Sequence, residues 1–512
     1  MEPREVTPDL PATLSAAGDS RRSAVVEPPP APVPFDDVRG FIEVVEAAGE
    51  LRRLDGAHWD MEIGALTEWA NEQRGPALLF DRIQGYPAGY RVLSNVWGSL
   101  RRTALTLGLP QHYGGVELVN GWRQRLKTMT PLPPRLVERG PVFDNQLRGA
   151  DVDLERFPAP RWHEEDGGRY LATACAVVTR DPDTGWVNAG TYRGMIHDRN
   201  LIGVKVNKGK HGRIHLDKAL ARGEACPVAI VLGFDPSMWA ATASQVVPNG
   251  VSEYEFTGWL RGQPVDVVHG PLTGLPIPAT AEIVLEGELL PGSAHPDLTE
   301  GPFGEWMGYY ADTTTGVVPV MRVDGICFRD DPILMGAPPL KPPGTEQFAI
   351  QLTASAVWDE VERAGIPDVR GVWILSSGWG PLVLVVAIRQ RYAGHARQAG
   401  LVATGCRSGA YGGRLTIVVD DDVDITNAEE VLWAVATRCR VERDIDIVRG
   451  VWQTPADPML TDEERNAEEN TAARAIIDAC RPYRQLQTFP KVCSFTPEYR
   501  RQMLAKWGDA LR

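Results

Sequence analysis

The first sustained alternation of apolar and polar positions begins at "FDDVRGFIEVVEAAGELRRLD". Phe41, Val44, Val45 and Ala48 recur at helical spacing, Asp36 or Asp37 stands where an N-cap belongs, and Gly49 follows where the helix should stop. "PALLFDRI" and "YRVLSNVW" are short apolar runs bounded by turn formers, so they predict strands. Together these elements predict an N-terminal α/β domain over residues 35–140.

From 141 to 331 the pattern changes to short apolar runs cut by Gly, Pro and Asp. "ATACAVVTR", "WVNAGTYRG", "IGVKVN", "CPVAIVLGF", "AEIVLEGEL" and "VVPVMRVDGICFR" all read as strands, and such density predicts a barrel or sandwich. Helical periodicity returns in "EQFAIQLTASAVWDEVERAG", and "VWILSSG", "PLVLVVAIRQ" and "RLTIVVDDDVDI" are buried-strand runs, predicting a third, α/β domain over 332–490. Residues 491–512 predict a terminal helix suited to packing on a partner subunit. Residues 1–34, rich in Pro, Ala and Ser, predict a disordered tail. No internal repeat is visible.

Composition narrows the class. At 512 residues the chain exceeds one ordinary core, which agrees with several domains. A net charge of −14 without a basic run argues against a nucleic-acid partner. No stretch approaches the apolar length of a membrane span, and the N-terminus lacks the apolar core of a secretory signal. The seven cysteines are widely spaced and form no CxxC pair, so neither a zinc site nor a disulfide framework is expected. A cytoplasmic protein with reduced thiols is the expectation.

Four stretches carry polar residues that a strand-rich core would not select for packing. They are "NAGTYRG" with Asn188 and Arg193, "KGKHGRIH" with Lys210 and His211, "VSEYEFTGWLRG" with Glu253 and Glu255, and "EGPFGEW" with Glu300 and Glu305. Singly, each has an ordinary reading. His211 is a loop histidine, Glu253 and Glu255 are solvated acids on a strand face or at a helix start, and Glu300 and Glu305 flank a surface turn. Together, amide, imidazole and carboxylate donors suit a borderline-hard divalent ion such as Mn²⁺ or Mg²⁺. An arginine beside two carboxylates can hold one ionised and leave the other to exchange a proton.

In their order along the chain these stretches resemble the UbiD family of decarboxylases, which use prenylated FMN. "NAGTYR", "KGKHGRIH", "SEYEFTGWLRGQPVDVV" and "EGPFGEWMGYY" match the family's successive motifs, and "MGAPPLKPPGTEQ", "VVAIRQRYAGHARQ" and "VVDDDVDITNAEEVLWAVATRC" extend the likeness into the third domain. The coverage runs from about residue 36 to 490. The resemblance implies a multidomain α/β fold with a central split β-barrel that binds flavin.

The resemblance also implies roles. Asn188, His211 and Glu253 match the ligands of a Mn²⁺ (or Mg²⁺) ion held against the cofactor phosphate; Glu253 is chosen over Glu255 because it directly precedes the Tyr of the motif. Arg193, Glu300 and Glu305 match the family's Glu–Arg–Glu network, with Glu305 as the acid–base group and Glu300 orienting Arg193. Lys210 and Arg414 fall at cofactor-binding positions. Arg414 stands where the family commonly has lysine, and its planar fork presents a different contact. Thr242, Ala243 and Gln245 fall at a K⁺ site. A small unsaturated carboxylic acid is the implied substrate: either an α,β-unsaturated acid of natural-product biosynthesis, giving a terminal alkene or diene, or a phenolic acid such as a hydroxybenzoate. A flavin prenyltransferase is the implied cofactor supplier, and a homodimer or higher homo-oligomer the implied assembly.

Overall fold

The structure is a computed structural model that describes residues 32–244, 247–248, 250–310, 316–342, 347–375, 382–410, 413–466 and 470–511. The helix expected near residue 40 spans Val38–Ala47, and the Asp37 side chain caps it by accepting from the Gly40 N–H at 2.8 Å. Its inward stripe is Val38, Phe41, Ile42 and Val45, which keeps Phe41 and Val45 of the expected face and replaces Val44 and Ala48 by Val38 and Ile42. Residues 1–31 of the expected tail lie outside the described residues. Val33, also assigned to that tail, is instead buried and belongs to the first core together with Phe35 and Phe41.

The first sheet has four strands in the order Leu51–Asp55, Ala77–Asp81, Arg91–Ser94 and Ile333–Met335. Its last member comes from beyond residue 331, where the sequence placed the start of the third domain. It pairs in parallel with Arg91–Ser94, so the chain leaves the centre by completing the first sheet. A buried ion-pair cluster reinforces this junction: Glu282 takes two 2.8 Å bonds from Arg39 and one of 3.2 Å from Arg329.

The central sheet has nine strands, and each of its ladders is antiparallel. Its main path runs Tyr170–Ala172, Gly194–Asp198, Leu201–Val204, Val320–Phe328, Ile283–Leu290, Cys226–Leu232, Cys175–Arg180 and Val187–Gly190. Tyr170–Ala172 and Cys175–Arg180 stand six steps apart on that path, which in a flat sheet is about 29 Å. The two residues between them in sequence span only about 10 Å. The link from Gly190 to Gly194 crosses the same interval with three residues. The sheet must therefore curl until its ends meet. Among the described residues no ladder joins those ends, so the barrel stays split along a seam.

The link 191–193 is fastened to the start of the strand Cys175–Arg180. Thr191 Oγ1 donates to the Cys175 carbonyl at 2.8 Å, and Cys175 Sγ to the Tyr192 carbonyl at 3.2 Å. Alternation along the strands feeds two cores, with Ala176 and Val178 facing one and Cys175 and Val177 the other.

The third core surrounds a five-stranded sheet in the order Val369–Ile374, Val383–Ile388, Leu415–Asp420, Thr471–Asp478 and Ile445–Trp452. Its last two strands escaped the sequence reading because their apolar positions are interrupted by Arg and Asp. The helix Gly115–Leu126, in the stretch assigned to the N-terminal domain, also reaches this layer: Val119 lies in the third core and Arg123 bonds Asp359 at 2.9 Å. The expected terminal helix spans Pro497–Trp507.

Candidate active site

The seam gathers the residues that the motifs singled out. Arg193 closes the link between Val187–Gly190 and Gly194–Asp198. Its Nε and Nη2 donate to the two oxygens of Glu300 at 2.7 and 3.0 Å, and its Nη1 donates to Glu305 Oε1 at 2.8 Å. Glu300 is 2% exposed. Burial opposes the charge on Arg193, but the bond to Glu300 and the fields of both carboxylates outweigh it and hold the guanidinium above its ordinary pKa. The fork is thus a fixed cation with one carboxylate wholly committed and one partly committed. Among the described residues, Glu305 Oε2 makes no hydrogen bond.

Aromatic rings wall this triad. The Phe303 ring centre lies 5.3 Å from the Arg193 guanidinium carbon, and the ring packs tilted against Tyr170 with centres 3.9 Å apart. Tyr170 donates its hydroxyl to Glu300 Oε1 at 2.8 Å. The loop before Tyr170 grips the rest of the "EGPFGEWMGYY" segment. Asp166 accepts from the Tyr310 hydroxyl at 3.1 Å, and the Gly167 N–H donates to the Pro302 carbonyl at 2.8 Å. Five residues, 166 to 170, therefore brace the motif at three points.

The second group lies on the other side of the seam. Asn188, 3% exposed, is in the edge strand Val187–Gly190. Glu253 opens the helix Glu253–Arg261, and its Oε2 accepts from the Ala189 N–H at 3.0 Å, next to Asn188. His211 opens the helix His211–Ala221 and meets the Trp186 ring edge to face at 4.9 Å. Tyr192 ties the set together: its hydroxyl accepts from the Gly212 N–H at 3.3 Å and lies beside the Asn188 amide. The two glutamates of "SEYE" stand on a helix, and only Glu253 turns towards the seam.

These donors fit the divalent ion that the resemblance implies. Asn188 is buried, and its amide oxygen is the atom that could ligate a cation, while its Nδ2 can only donate towards the Tyr192 hydroxyl. Burial pushes the Glu253 carboxyl up to about 7, a cost that a cation would offset. Among the described residues no three His, Cys, Asp or Glu side chains converge, so such a site would depend on the Asn188 amide.

The remaining expectations fall at differing distances. Lys210 holds the N-cap position before His211 and is exposed. The Thr242 carbonyl accepts from the Thr191 N–H at 3.0 Å, which puts the end of the helix Pro236–Ala243, and with it Ala243, against the link that carries Arg193. Gln245 lies outside the described residues. Arg414 stands at the entry to a strand of the third sheet, where it pairs with Asp457. No contact among the described residues joins it to the seam. Sequence reasoning missed Tyr170, Phe303 and Tyr192. Phe303 and Tyr192 lie inside motifs that were noticed for their charged members, whereas Tyr170 is marked by no pattern.

Comparisons agree with this architecture. The N-terminal, Rift-related and C-terminal domains of the 3-octaprenyl-4-hydroxybenzoate carboxy-lyase family match residues 42–120, 135–342 and 347–479. The pyrrole-2-carboxylic acid decarboxylase of Pseudomonas aeruginosa is 33% identical over 504 residues, covering 92% of this chain and 98% of its own. A phenolic acid decarboxylase of a Streptomyces species is 32% identical, covering 81% and 86%. Among solved structures, the vanillic acid decarboxylase of Sedimentibacter hydroxybenzoicus in open form fits with a TM-score of 0.79 at 28% identity, covering 93% and 99%. The UbiD-class enzyme HmfF of Pelotomaculum thermopropionicum, in complex with FMN, fits with a TM-score of 0.80 at 27% identity, covering 92% and 100%. This chain belongs to the UbiD family of carboxy-lyases.

Proposed function

We propose that the protein catalyses the reversible, non-oxidative decarboxylation of an unsaturated carboxylic acid with the help of prenylated FMN. The observation that carries this reading is the Arg193 fork, which commits itself to buried Glu300 and leaves Glu305 one oxygen free of hydrogen bonds among the described residues. A carboxylate leaving an sp² carbon as CO₂ leaves behind an electron pair that needs a sink and then a proton. The prenylated flavin, when bound, supplies the sink. HmfF, described in complex with FMN and, in an evolved dimeric form, with prenylated FMN, supports that choice.

The chain's own residues do the rest. Glu305 delivers its carboxyl proton to the carbon that has lost CO₂, and in the carboxylating direction its carboxylate takes a proton from that carbon. Arg193 holds Glu305 in place through Nη1. Phe303 and Tyr170 close the back of the site to water, being 3% and 0% exposed. Asn188, His211 and Glu253 would hold Mn²⁺ or Mg²⁺, whose charge would offset that of the cofactor phosphate. Thr242, Ala243 and Gln245 would contribute to a K⁺ site, Lys210 would contact the cofactor, and Arg414 would do so only on leaving Asp457. A flavin prenyltransferase supplies the cofactor, and the working assembly is a homodimer or larger homo-oligomer.

The leading substrate reading is an α,β-unsaturated acid of natural-product biosynthesis, decarboxylated to a terminal alkene or diene. The second is an aromatic acid, favoured by the pyrrole-carboxylate and phenolic-acid activities named for the relatives. Protein co-expressed with a flavin prenyltransferase and assayed on dienoic, cinnamic, hydroxybenzoic and pyrrole-2-carboxylic acids separates them by which acid releases CO₂. Protein prepared without the prenyltransferase is expected to be inactive; full turnover with unmodified FMN would overturn the proposal.

A further inference from the structure

Glu300 Oε1 accepts two hydrogen bonds, one from Arg193 Nε at 2.7 Å and one from the Tyr170 hydroxyl at 2.8 Å. Tyr170 is fully buried, its ring packs against Phe303, and its strand is locked to Gly194–Asp198 through the Tyr170–Met195 pairing. The hydroxyl therefore cannot swing elsewhere. We infer that Tyr170 is a positioning residue for the acid–base pair. By donating to Glu300 it takes up part of that carboxylate's charge, so that Arg193 keeps Nη1 directed at Glu305.

The direction of the bond is settled by chemistry. Burial first, and then the neighbouring Glu300 carboxylate, raise the phenol far above its ordinary pKa, so it stays neutral and donates. The balance it adjusts is local. Besides Tyr170 and Arg193, the groups that face Glu300 and Glu305 are Asp166, whose field reaches Tyr170, and His197, which feels Glu300 and has His295 beyond it. Arg193 alone among the described residues touches both carboxylates. Without the hydroxyl, Glu300 presents its full charge to the fork, the field at Glu305 becomes more negative, and Glu305 holds its proton to higher pH. The inference rests on the reading of Glu305 as the proton donor.

Two replacements test it in opposite directions. Tyr170→Phe keeps the ring and its packing while deleting the donor. Incorporating 3-fluorotyrosine at position 170 keeps the shape and strengthens the donor. Cofactor-free protein labelled with ¹³C at the glutamate carboxyl carbon is titrated, the Glu305 resonance being identified by its loss in Glu305→Gln. We expect the Glu305 midpoint to move to higher pH in Tyr170→Phe and to lower pH in the fluorotyrosine protein. In cofactor-loaded enzyme the high-pH limb of kcat should move the same way, with flavin occupancy unchanged. An identical Glu305 titration in all three proteins overturns the inference. If Tyr170→Phe does not fold, the isosteric fluorotyrosine protein decides alone. Loaded wild-type protein that releases no CO₂ from any acid would instead overturn the functional reading, since the cofactor-free titration still reports on Tyr170.

Discussion

Glu253 and Glu255 stand two residues apart on one helix and are committed to unrelated tasks. Glu253 turns to the Ala189 N–H at 3.0 Å beside Asn188. Glu255 turns back to Ser252, accepting from its N–H at 2.8 Å and its hydroxyl at 3.0 Å in a capping box.

Opposite phenotypes should follow from the two alanine variants. Glu255→Ala should lower stability by about 1 kcal/mol and keep its bound flavin and metal. Glu253→Ala and His211→Ala should lose cofactor and metal occupancy, read by flavin absorbance and metal content after gel filtration. An exchange of these effects between the two glutamates would show that the ligand is Glu255.

The two carboxylates on Arg193 should also separate. Glu305→Gln preserves size and leaves the bidentate Glu300 contact intact, so flavin should bind normally while CO₂ release falls by about 10²-fold or more. Glu300→Gln breaks a buried ion pair and should destabilise the fold by about 3 kcal/mol as well as slowing turnover. Chemical denaturation and CO₂ release on the same preparations check both. Near-normal turnover by folded, loaded Glu305→Gln would reduce the motif to a pair of acids on a turn.

Tyr192 occupies space that two glycines leave open. A Cβ on Gly190 would lie 2.5 Å from its hydroxyl, and one on Gly212 would lie 2.8 Å from its ring. Gly190→Ala and Gly212→Ala should each destabilise by about 1–3 kcal/mol. Both should also weaken Mn²⁺ binding, because displaced Tyr192 no longer sits beside Asn188. Calorimetric titration of Mn²⁺ into the folded variants measures this.

His215 gives an acid-stability prediction. It is 1% exposed, and burial holds it down to about 4 although Asp181 pulls the other way. Between its ordinary value of 6.5 and about 4, the unfolded chain takes up a proton that the folded chain refuses. Its contribution is therefore intact above pH 6.5 and is lost as pH falls towards 4, up to about 3 kcal/mol in total. Denaturation midpoints of His215→Gln between pH 7 and 4 should fall less steeply than those of the wild type.

Legibility in the sequence followed the physics of each element. The helix at Val38–Ala47 and the strands Cys226–Leu232 and Val383–Ile388 were readable because burial on one or both faces writes itself into the apolar pattern. Strands Ile445–Trp452 and Thr471–Asp478 were not, since exposed positions and a buried Arg474 break theirs. Ile333–Met335 was not singled out, being a three-residue strand with no local signal that its partner lies some 240 residues earlier. At the site, charged residues drew attention through their motifs, whereas Tyr170 matters through one hydrogen bond to a residue 130 positions away. The pairing of Arg414 with Asp457 was equally hidden, because only the fold makes them neighbours.

The clasp at the barrel seam constrains chain length more tightly than chain chemistry. Residues 191–193 must reach from one end of the curled sheet to the other, with no spare length, and they end on Arg193 directly before the strand Gly194–Asp198. One inserted residue there would slacken the link and release Arg193 from its fixed place beside Glu300, however well every side chain were preserved. The hairpin between Arg180 and Val187, which joins neighbouring strands, carries no such limit. Insertions are therefore expected to accumulate in that hairpin and to be absent from the clasp.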